Sequence, residues 1–346
     1  MTTANTAEFH TLLDWNLLRA PDGSGEIGVA RLMYQKNQFN QILPYREAND
    51  GVGHKIGIQT SLPPAFLAAY GQRFTAGHGT TAIVTEPTAY AKSPWSVLRD
   101  LAKLNGAGVE LLKAAADHAE ALAQLVEGKM IYGNHTTDPL SPNGFMLRHS
   151  SLTGEIGKYT IDGGGTASGS LSSIIVAGVG PGALFGLFPK GSMTAGIEAF
   201  DGGVVLDKTS AGELWKHAGE YTQYFGLAEE DHRFSVRIAN ISTVDLAAGT
   251  GPTLGLLFLI RDAVARIQSR MRLNIDPMGV NHYILMNSKV FRYLLHQTQT
   301  AVSQGAGITW ENVTNGFVKD MKAPMCAGLP IIFSDQMLDG SEAAVS

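Results

Sequence analysis

The 346-residue sequence predicts an α+β fold, in which a few helices are interspersed with many strands. The 40 glycines and 14 prolines indicate frequent turns, which strands joined by loops require and a helical bundle does not. Some segments carry apolar residues at the three- and four-residue spacing of a helix, and others carry the alternating or continuous apolar runs of strands. A chain of this length can bury the cores of two or three packed lobes.

The composition bears on partners and on cellular context. Charged residues make up 16% of the chain, whereas about 25% is usual, which indicates a surface partly covered by partners. The net charge of −5 argues against general nucleic-acid binding but is compatible with a position beside nucleic acid. Cys326 is the single cysteine, so no internal disulfide is expected and a buried position is predicted.

No segment has the pattern of a signal peptide or of a membrane span. The N-terminus lacks a basic start followed by an apolar core. The longest apolar run, residues 254–260, is too short to cross a bilayer. We therefore expect a soluble protein made in the cytosol.

The first 43 residues are predicted to form an arm. Residues 8–20 form a short amphipathic stretch that ends at the turn signal Pro21-Asp22-Gly23. Residues 26–42 have apolar side chains whose spacing is only partly helical. This pattern is suited to an arm that wraps a neighbouring molecule.

Residues 44–92 predict a long β-hairpin. Residues 54–60 and 80–85 are extended runs, separated by a tip that contains Gly and Pro. Such a hairpin projects beyond a compact body and loses contact area unless a partner covers it. The projection therefore predicts an intermolecular contact.

Residues 106–128 carry the clearest helical pattern. Asn105 and Gly128 are suitable caps, so the helix is predicted to stop at Gly128. His118 is placed on the exposed side of this helix and is interpreted as a solvated side chain.

Residues 133–172 are rich in loop signals. The chain after them is predicted to form strands and two further helices. Asp262 lies four residues before Arg266, at the spacing of a supportive ion pair. The predicted strands cover residues 173–179, 183–188, 203–241, 283–286 and 329–333, and the predicted helices cover residues 253–272 and 288–300.

Two glycine-rich segments are candidates for nucleotide-binding loops. Gly178 to Gly182 follows an apolar strand, but it lacks the third spacing of a dinucleotide fingerprint and precedes another predicted strand. In Gly186 to Ser192 the lysine precedes the glycine, the reverse of a phosphate loop. Both are predicted to be turns.

No other pattern indicates catalysis or metal binding. The ten histidines lack metal-ligand spacing, and one cysteine cannot build a zinc site. The acidic run Glu229-Glu230-Asp231 is interpreted as a solvated turn, and no G-x-S-x-G motif is present. We therefore predict no catalytic, cofactor-binding or metal-binding residues, and a protein that is not an enzyme.

Several short segments, in order along most of the chain, are similar to those of one protein family: Leu12 to Trp15 with Pro21 to Gly23, Leu62-Pro63, residues 98–104, Tyr132-Gly133-Asn134, Pro142, Gly144-Phe145, Asp162 to Gly165, Pro330-Ile331 and residues 342–345. Phe188-Pro189-Lys190-Gly191-Ser192 resembles the family's YPKGS segment, and Arg237 to Ile241 resembles its RIANI strand. The family's Trp-rich buried strand is replaced here by Ile174 to Gly178, a change of volume. In their order and spacing, these segments resemble the major capsid proteins of short-tailed (podovirus-type) and related phages.

This resemblance implies an HK97-like capsid fold. It implies an N-terminal arm, an extended loop, a spine helix, a peripheral domain and an axial domain. The implied segments are the arm (1–43), the extended loop (44–92), the spine helix with part of the peripheral domain (93–149), the first axial part (150–200), the long peripheral strands (201–249), the second axial part (250–315) and the C-terminal peripheral segment (316–346).

The implied function is that of a tailed-phage major capsid protein, which assembles as pentamers and hexamers into an icosahedral shell around double-stranded DNA. The implied partners are other copies of the chain, a scaffolding protein, a portal protein, a cement or decoration protein where one exists, and DNA bound without sequence specificity, with no membrane. The chain would be part of the virion after assembly in the host cytoplasm. The expected contacts between subunits are Trp15, Leu17, Tyr45, His54, Lys55, Ile56, Ile58, Leu62, Phe66, Tyr70 and Phe74.

Two alternatives remain at this point. An encapsulin-like compartment shell protein would share the fold and enclose an enzyme cargo instead of DNA. A glycine-rich nucleotide-binding α/β enzyme is the more distant alternative, which tight stoichiometric nucleotide binding would support.

Overall fold

The computed structural model describes residues 38–51, 53–67, 70–73, 75, 77–100, 108–192, 196–209, 212–249, 251–252, 255–271, 279–300, 309–315 and 318–346. Of the predicted arm segments, residues 8–20 and the first part of 26–42, residues 26–37, therefore lie outside the described residues.

Helices and strands are interspersed along the described chain, as predicted for an α+β fold. The helices are α1 (Phe39–Ile42), α2 (Gly108–Tyr132), α3 (Phe145–Arg148), α4 (Gly154–Gly157), α5 (Thr243–Ala248), α6 (Leu256–Met271) and α7 (Ser288–Thr300). The strands are β1 (Tyr45–Glu47), β2 (Gly53–Ser61), β3 (Thr80–Pro87), β4 (Ala89–Leu98), β5 (Thr160–Asp162), β6 (Leu171–Val179), β7 (Leu184–Phe188), β8 (Ile197–Thr209), β9 (Gly212–Glu229), β10 (Val236–Ser242), β11 (Asn281–Met286), β12 (Thr309–Asn315), β13 (Val318–Cys326) and β14 (Leu329–Phe333).

Among the described residues, twelve strands form one mixed sheet, and β2 and β3 form a separate two-stranded hairpin. The main path of the large sheet runs β12-β13-β14-β11-β6-β7-β9-β4, and β1, β5, β8 and β10 pair at its sides. Strand β6 is central, since it pairs antiparallel with both β10 and β11. The separate hairpin is consequently joined to the body only through its base.

Strand β6 is buried along its whole length, which confirms the predicted buried strand. Successive side chains of a strand point to opposite faces. Ile174 and Val176 pack with helices α6 and α7, whereas Ile175 and Ala177 pack with helix α2. Both faces of the sheet are therefore covered, which explains the continuous apolar run in the sequence. Each fully buried Ile or Val stabilises the fold by about 1.5–3 kcal/mol.

The two later helices are confirmed as α6 and α7. Ile260, Val264 and Ile267, which follow one another at helical spacing in α6, are buried in the core. The predicted Asp262–Arg266 ion pair is present, with 3.0 Å between Arg266 Nη2 and Asp262 Oδ2. The predicted strands before and after α7 correspond to β11 and β14.

Helix α2 continues past Gly128 to Tyr132, so the predicted stop at Gly128 is wrong. A glycine inside a helix costs about 1 kcal/mol relative to alanine. Met130 and Ile131 in the last turn are fully buried, and their burial outweighs that cost. The helix ends at Gly133, where a side chain would collide with the backbone oxygens of Lys129 and Pro142.

The sheet β4-β9-β8 covers one side of helix α2. Strand β9 pairs with β4 from Ala89↔Phe225 to Leu98↔Lys216, and with β8 on its other side. His118 Nδ1 lies 2.9 Å from Ser93 Oγ of β4. His118 is therefore half-buried between helix and sheet, and the predicted solvated position is wrong, because a strand distant in sequence covers that side of the helix.

The two glycine-rich segments are turns, as predicted. After β6 the chain turns at residues 180–183 and enters strand β7, whereas a dinucleotide fingerprint would open a helix. Residues 189–192 form a turn after β7. Cys326 is 1% exposed, as predicted, and burial raises the pKa of its thiol to about 11.

Candidate functional site

The predicted hairpin is confirmed as the pair β2–β3. Its strands are antiparallel, with a register that runs from Gly53↔Pro87 at the base to Ser61↔Thr80 at the tip. Thr80 to Thr85 are exposed along β3. The neighbouring strands β1 and β4 pair with the large sheet, so the part that stands apart from it is Gly53–Pro87.

The tip of the hairpin exposes several large apolar side chains. Leu62 and Phe66 are 77% and 58% exposed, and Leu67 and Tyr70 are fully exposed. Exposed apolar groups that lie together mark interaction sites more often than single ones do. Three predicted contact residues, Leu62, Phe66 and Tyr70, therefore lie on one accessible segment.

The base of the hairpin packs against its own subunit. Ile56 is buried with Phe185, Leu187 and Ala228, and Ile58 packs partly against this cluster. The ring edge of His54 faces Phe185 with 5.6 Å between ring centroids. Burial lowers the pKa of His54.

Tyr45 is also occupied within the subunit. Its hydroxyl donates to Asn40 Oδ1 and lies 3.8 Å from Met130 Sδ. Burial raises the pKa of the phenol above its usual value, and the nearby Glu127 adds to this effect. Together with His54 and Ile56, this residue fastens the hairpin base internally, and its predicted role between subunits stays a prediction.

The remaining predicted contact residues have separate locations. Lys55 has a half-exposed side chain, and its Nζ lies 2.6 Å from Asp50 Oδ2. Trp15, Leu17 and Phe74 lie outside the described residues.

A second hairpin, β8–β9, also exposes apolar side chains. Ile197, Phe200 and Trp215 are at least half exposed. The guanidinium of Arg99 lies 6.0 Å from the Trp215 ring centre. Long strands were predicted over residues 203–241, whereas β8 already begins at Ile197, and the exposed apolar residues of this hairpin were not among the predicted contacts.

A buried network binds the C-terminal segment to the centre of the sheet. Arg237 of β10 donates from Nη2 to Glu342 Oε2 at 3.1 Å and from Nε to Ser173 Oγ at 3.1 Å. Tyr132 at the end of α2 donates to Glu342 Oε1 at 2.5 Å. Burial raises the pKa of the Tyr132 hydroxyl, and the neighbouring Glu342 carboxylate raises it further. Arg237 is a charged residue between two apolar residues of the fully buried strand β10, and this was the sequence signal from which the network could have been predicted.

The acidic run at residues 229–231 is not a solvated turn throughout. Glu229 is buried at the end of β9, with its Oε1 3.4 Å from His149 Nε2. Burial alone would raise the pKa of Glu229, but His149 and Arg148 hold it below its usual range. The prediction was wrong for Glu229 because its partner lies 80 residues away in the sequence.

Glu127 joins helix α2 to α1 and to the C-terminal segment. Its carboxylate accepts hydrogen bonds from the Asn40 backbone N–H at 3.2 Å and from Ser334 Oγ. Burial raises the pKa of Glu127 to about 7, and Asp335 contributes in the same direction.

Glu127→Gln is expected to remove a pH dependence of stability. A pKa raised from 4.5 to about 7 means that the folded chain binds the proton more tightly than the unfolded chain. Stability is then lost as pH rises from about 4.5 through 7, by about 3 kcal/mol at most. Urea unfolding at a series of pH values measures this loss. Glu120→Gln on the same helix is the control, and an equal pH slope in wild type and Glu127→Gln would contradict the prediction.

The described residues include no helix long and apolar enough to cross a membrane. Within the same residues, no group of three or more His, Cys, Asp or Glu side chains could hold a metal ion. Three buried pairs, Glu86–Arg148, Glu229–His149 and Arg237–Glu342, each join segments that are distant in the sequence.

Comparisons with known proteins cover nearly the whole chain. A family model described as major capsid protein GP7 matches residues 21–346. A chain in a near-atomic structure of bacteriophage epsilon15 is 21% identical with a TM-score of 0.67, and the match covers 99% of this chain and 100% of that chain. This likeness confirms the predicted HK97-like fold.

Two other similar structures differ more. The capsid of the phage XM1 is 9% identical with a TM-score of 0.42, and the match covers 66% of this chain and 99% of that chain. An encapsulin complex from Synechococcus elongatus is 9% identical with a TM-score of 0.41, with 67% and 96% covered. No curated protein matches the sequence.

Proposed function

This chain belongs to the major capsid protein GP7 family, and on that basis we propose that its exposed hairpin joins neighbouring subunits in the shell of a tailed phage. The observation that carries the proposal is the apolar tip. Leu62, Phe66, Leu67 and Tyr70 are exposed on a hairpin that is not paired with the large sheet. Covering them stabilises an assembly by removing apolar surface from water.

Many copies of one modest contact suffice for a stable shell. Each subunit contributes its hairpin and receives that of a neighbour, so that the contacts reinforce one another through multivalency. Pentameric and hexameric positions require the same chain in slightly different poses. A hairpin attached only at its base can adapt to both.

We assign the chain to the segments of the family fold as follows. The extended loop lies within residues 44–92, and its free part is Gly53–Pro87. Helix α2 is the spine helix, and the β8–β9 hairpin supplies the long strands of the peripheral domain. Residues 150–200 and 250–315 form the axial domain, residues 316–346 the last peripheral segment, and residues 1–43 the arm.

The partners that we propose follow from shell assembly. A scaffolding protein and a portal protein direct it in the host cytoplasm, and a decoration protein binds outside where one exists. The packaged double-stranded DNA lies inside without sequence-specific contacts, since the net charge is −5. The family is one of structural proteins, and we propose no catalytic residue.

Substituting two tip residues together, Leu67→Ser and Tyr70→Ser, is expected to reduce shell formation at least about tenfold, because each contact loses more than about 1.4 kcal/mol. The subunit itself should keep its unfolding temperature, since both side chains are fully exposed. Sedimentation and electron microscopy of the chain, expressed with its neighbouring structural genes, measure the fraction in shells.

Leu140→Ser is the matched control, because Leu140 is 85% exposed and lies outside the hairpin. It should assemble as wild type does. Shells at wild-type yield from the tip variant would contradict the proposal, and so would an equal loss in both variants.

The alternatives are separated by different observations. The family match is to a major capsid protein, which supports the phage shell over an encapsulin-like compartment. The strand after Gly182 supplies no helix N-terminus for a dinucleotide, so the nucleotide-binding alternative has no site there.

A further inference from the structure

Two buried side chains meet where the hairpin leaves the body. His54 of β2 and Glu86 of β3 are cross-strand partners. They are 8% and 4% exposed, whereas residues 80–85 of β3 are exposed. The pair therefore marks the hinge between the free hairpin and the subunit.

Glu86 is held by a guanidinium fork. Arg148 donates from Nη1 to Glu86 Oε1 and from Nη2 to Oε2, the latter at 3.0 Å. Asn143 Nδ2 donates to the same Oε2 at 3.2 Å. Two parallel bonds from a planar group fix direction as well as distance, which a lysine cannot do.

Arg148 is itself fixed to the body. Its Nη2 also donates to the backbone oxygens of Leu227 at 2.7 Å and Asn143 at 3.1 Å. It ends helix α3, whose Phe145 and Met146 are buried in the core that includes α2. Arg148 therefore fixes the position of strand β3 relative to the core.

On the β2 side of the hinge, the Asn49 side chain exchanges two hydrogen bonds with the Lys55 backbone, at 2.7 and 2.8 Å, which tie the strand to the turn before it. His54 Nε2 lies 3.9 Å from Glu230 Oε1, and its Nδ1 lies 3.4 Å from the Asn49 backbone N. The Ile56 contacts beside it are apolar and so have no preferred angle. The β3 side differs in that its charge-assisted fork reaches directly to a residue fixed in the core.

We propose that the Glu86–Arg148 pair is the positioning contact that sets the angle between the hairpin and the subunit. This inference rests on the proposed function, because the angle decides where the tip meets a neighbour. Nine residues of β2 span about 30 Å at 3.3 Å per residue, so a rotation of about 10° displaces the tip by about 5 Å. That distance exceeds the length of a hydrogen bond or an apolar contact.

The test measures the angle in the free, full-length chain. Spin labels on Thr75→Cys at the tip and Leu140→Cys on the body report the distance distribution between them, and the native Cys326 is 1% exposed. Arg148→Lys keeps the charge but removes the fork, and Glu86→Gln keeps the shape but removes the charge. Both variants are expected to widen the distribution about twofold or more.

Glu220→Gln is the matched control, since it removes an ion pair with Lys92 at 2.6 Å between β4 and β9, away from the hinge. It should leave the distribution at wild-type width. An unchanged width in both hinge variants would overturn the proposal. Loss of folding in Glu86→Gln with an unchanged width in Arg148→Lys would overturn it as well, because the pair would then be a purely structural contact.

This readout is independent of assembly. If the hinge variants widen the distribution while the tip variant still forms shells, the hinge stands and the proposed function fails. If the tip variant loses shells while the hinge variants keep the wild-type width, the reverse holds.

Discussion

Glu342→Ala should lower the free energy of unfolding by about 3–5 kcal/mol, because it leaves a buried charge without its partner. Arg237 and Glu342 have side chains only 6% and 3% exposed. The substitution removes the acceptor of the Arg237, Ser173 and Tyr132 hydrogen bonds at once. Urea unfolding of the purified chain, followed by tryptophan fluorescence, measures the loss.

Glu213→Ala is the matched control for this prediction. It removes an ion pair with Lys208 at 3.0 Å whose side chains are both more than half exposed. Exposed pairs contribute little because water screens them, so stability should hardly change. Equal losses from the two substitutions would show that burial of the Arg237 pair has no energetic consequence.

The same network explains how the end of the chain is held. Asn240 next to it accepts a hydrogen bond from the Val345 backbone N at 2.8 Å and donates to the Val345 oxygen at 2.9 Å. The Ser346 oxygen accepts from the Leu152 backbone N at 3.2 Å. Loss of Glu342 is therefore expected to release the last residues from the sheet, which would expose them to proteases.

Gly133→Ala is expected to have the second large effect. A Cβ atom there would lie 2.3 Å from the Lys129 oxygen and 2.4 Å from the Pro142 oxygen. Both atoms belong to the backbone, so the end of helix α2 or the segment at Pro142 must move. Overpacking of this kind costs about 1–3 kcal/mol or more. Thermal unfolding of the variant measures it as a lowered midpoint.

Gly51→Ala is the corresponding control, because a Cβ at Gly51 meets nothing within 4 Å. Its midpoint should stay close to that of the wild type. A Gly133→Ala variant as stable as Gly51→Ala would mean that the turn after helix α2 adjusts without strain.

The fold could be predicted from local sequence patterns wherever the burial of an element follows from its own apolar residues. The continuous apolar run of β6 and the helical stripe of α6 needed only their periodicity. The predictions failed where a partner far along the chain decides the outcome. Ser93 covers His118, and His149 pairs with Glu229. Strands β12 and β13 were missed because their sequence lacks a clear alternation.

For the candidate site too, the sequence predicts some features and only the folded chain shows the others. The tip residues Leu62, Phe66 and Tyr70 were identified because a glycine- and proline-containing loop between two strands is expected at a surface. At the base, His54, Ile56 and Ile58 alternate along β2 and share the face that meets Phe185. Sequence shows that such a face exists, but only the folded chain shows that it is covered from within the subunit.

Under the proposed function, in which the hairpin joins subunits, the separation of β2 and β3 from the large sheet has a consequence for the fidelity of shell growth. Two-stranded hairpins are marginally ordered by themselves. Part of the free energy gained on docking is therefore spent on ordering, which weakens each single contact. A subunit added in a wrong pose makes few contacts and leaves again, whereas a correctly placed one is retained by several neighbours. Weak individual attachment thus provides error correction that a rigid, strongly binding projection would lack.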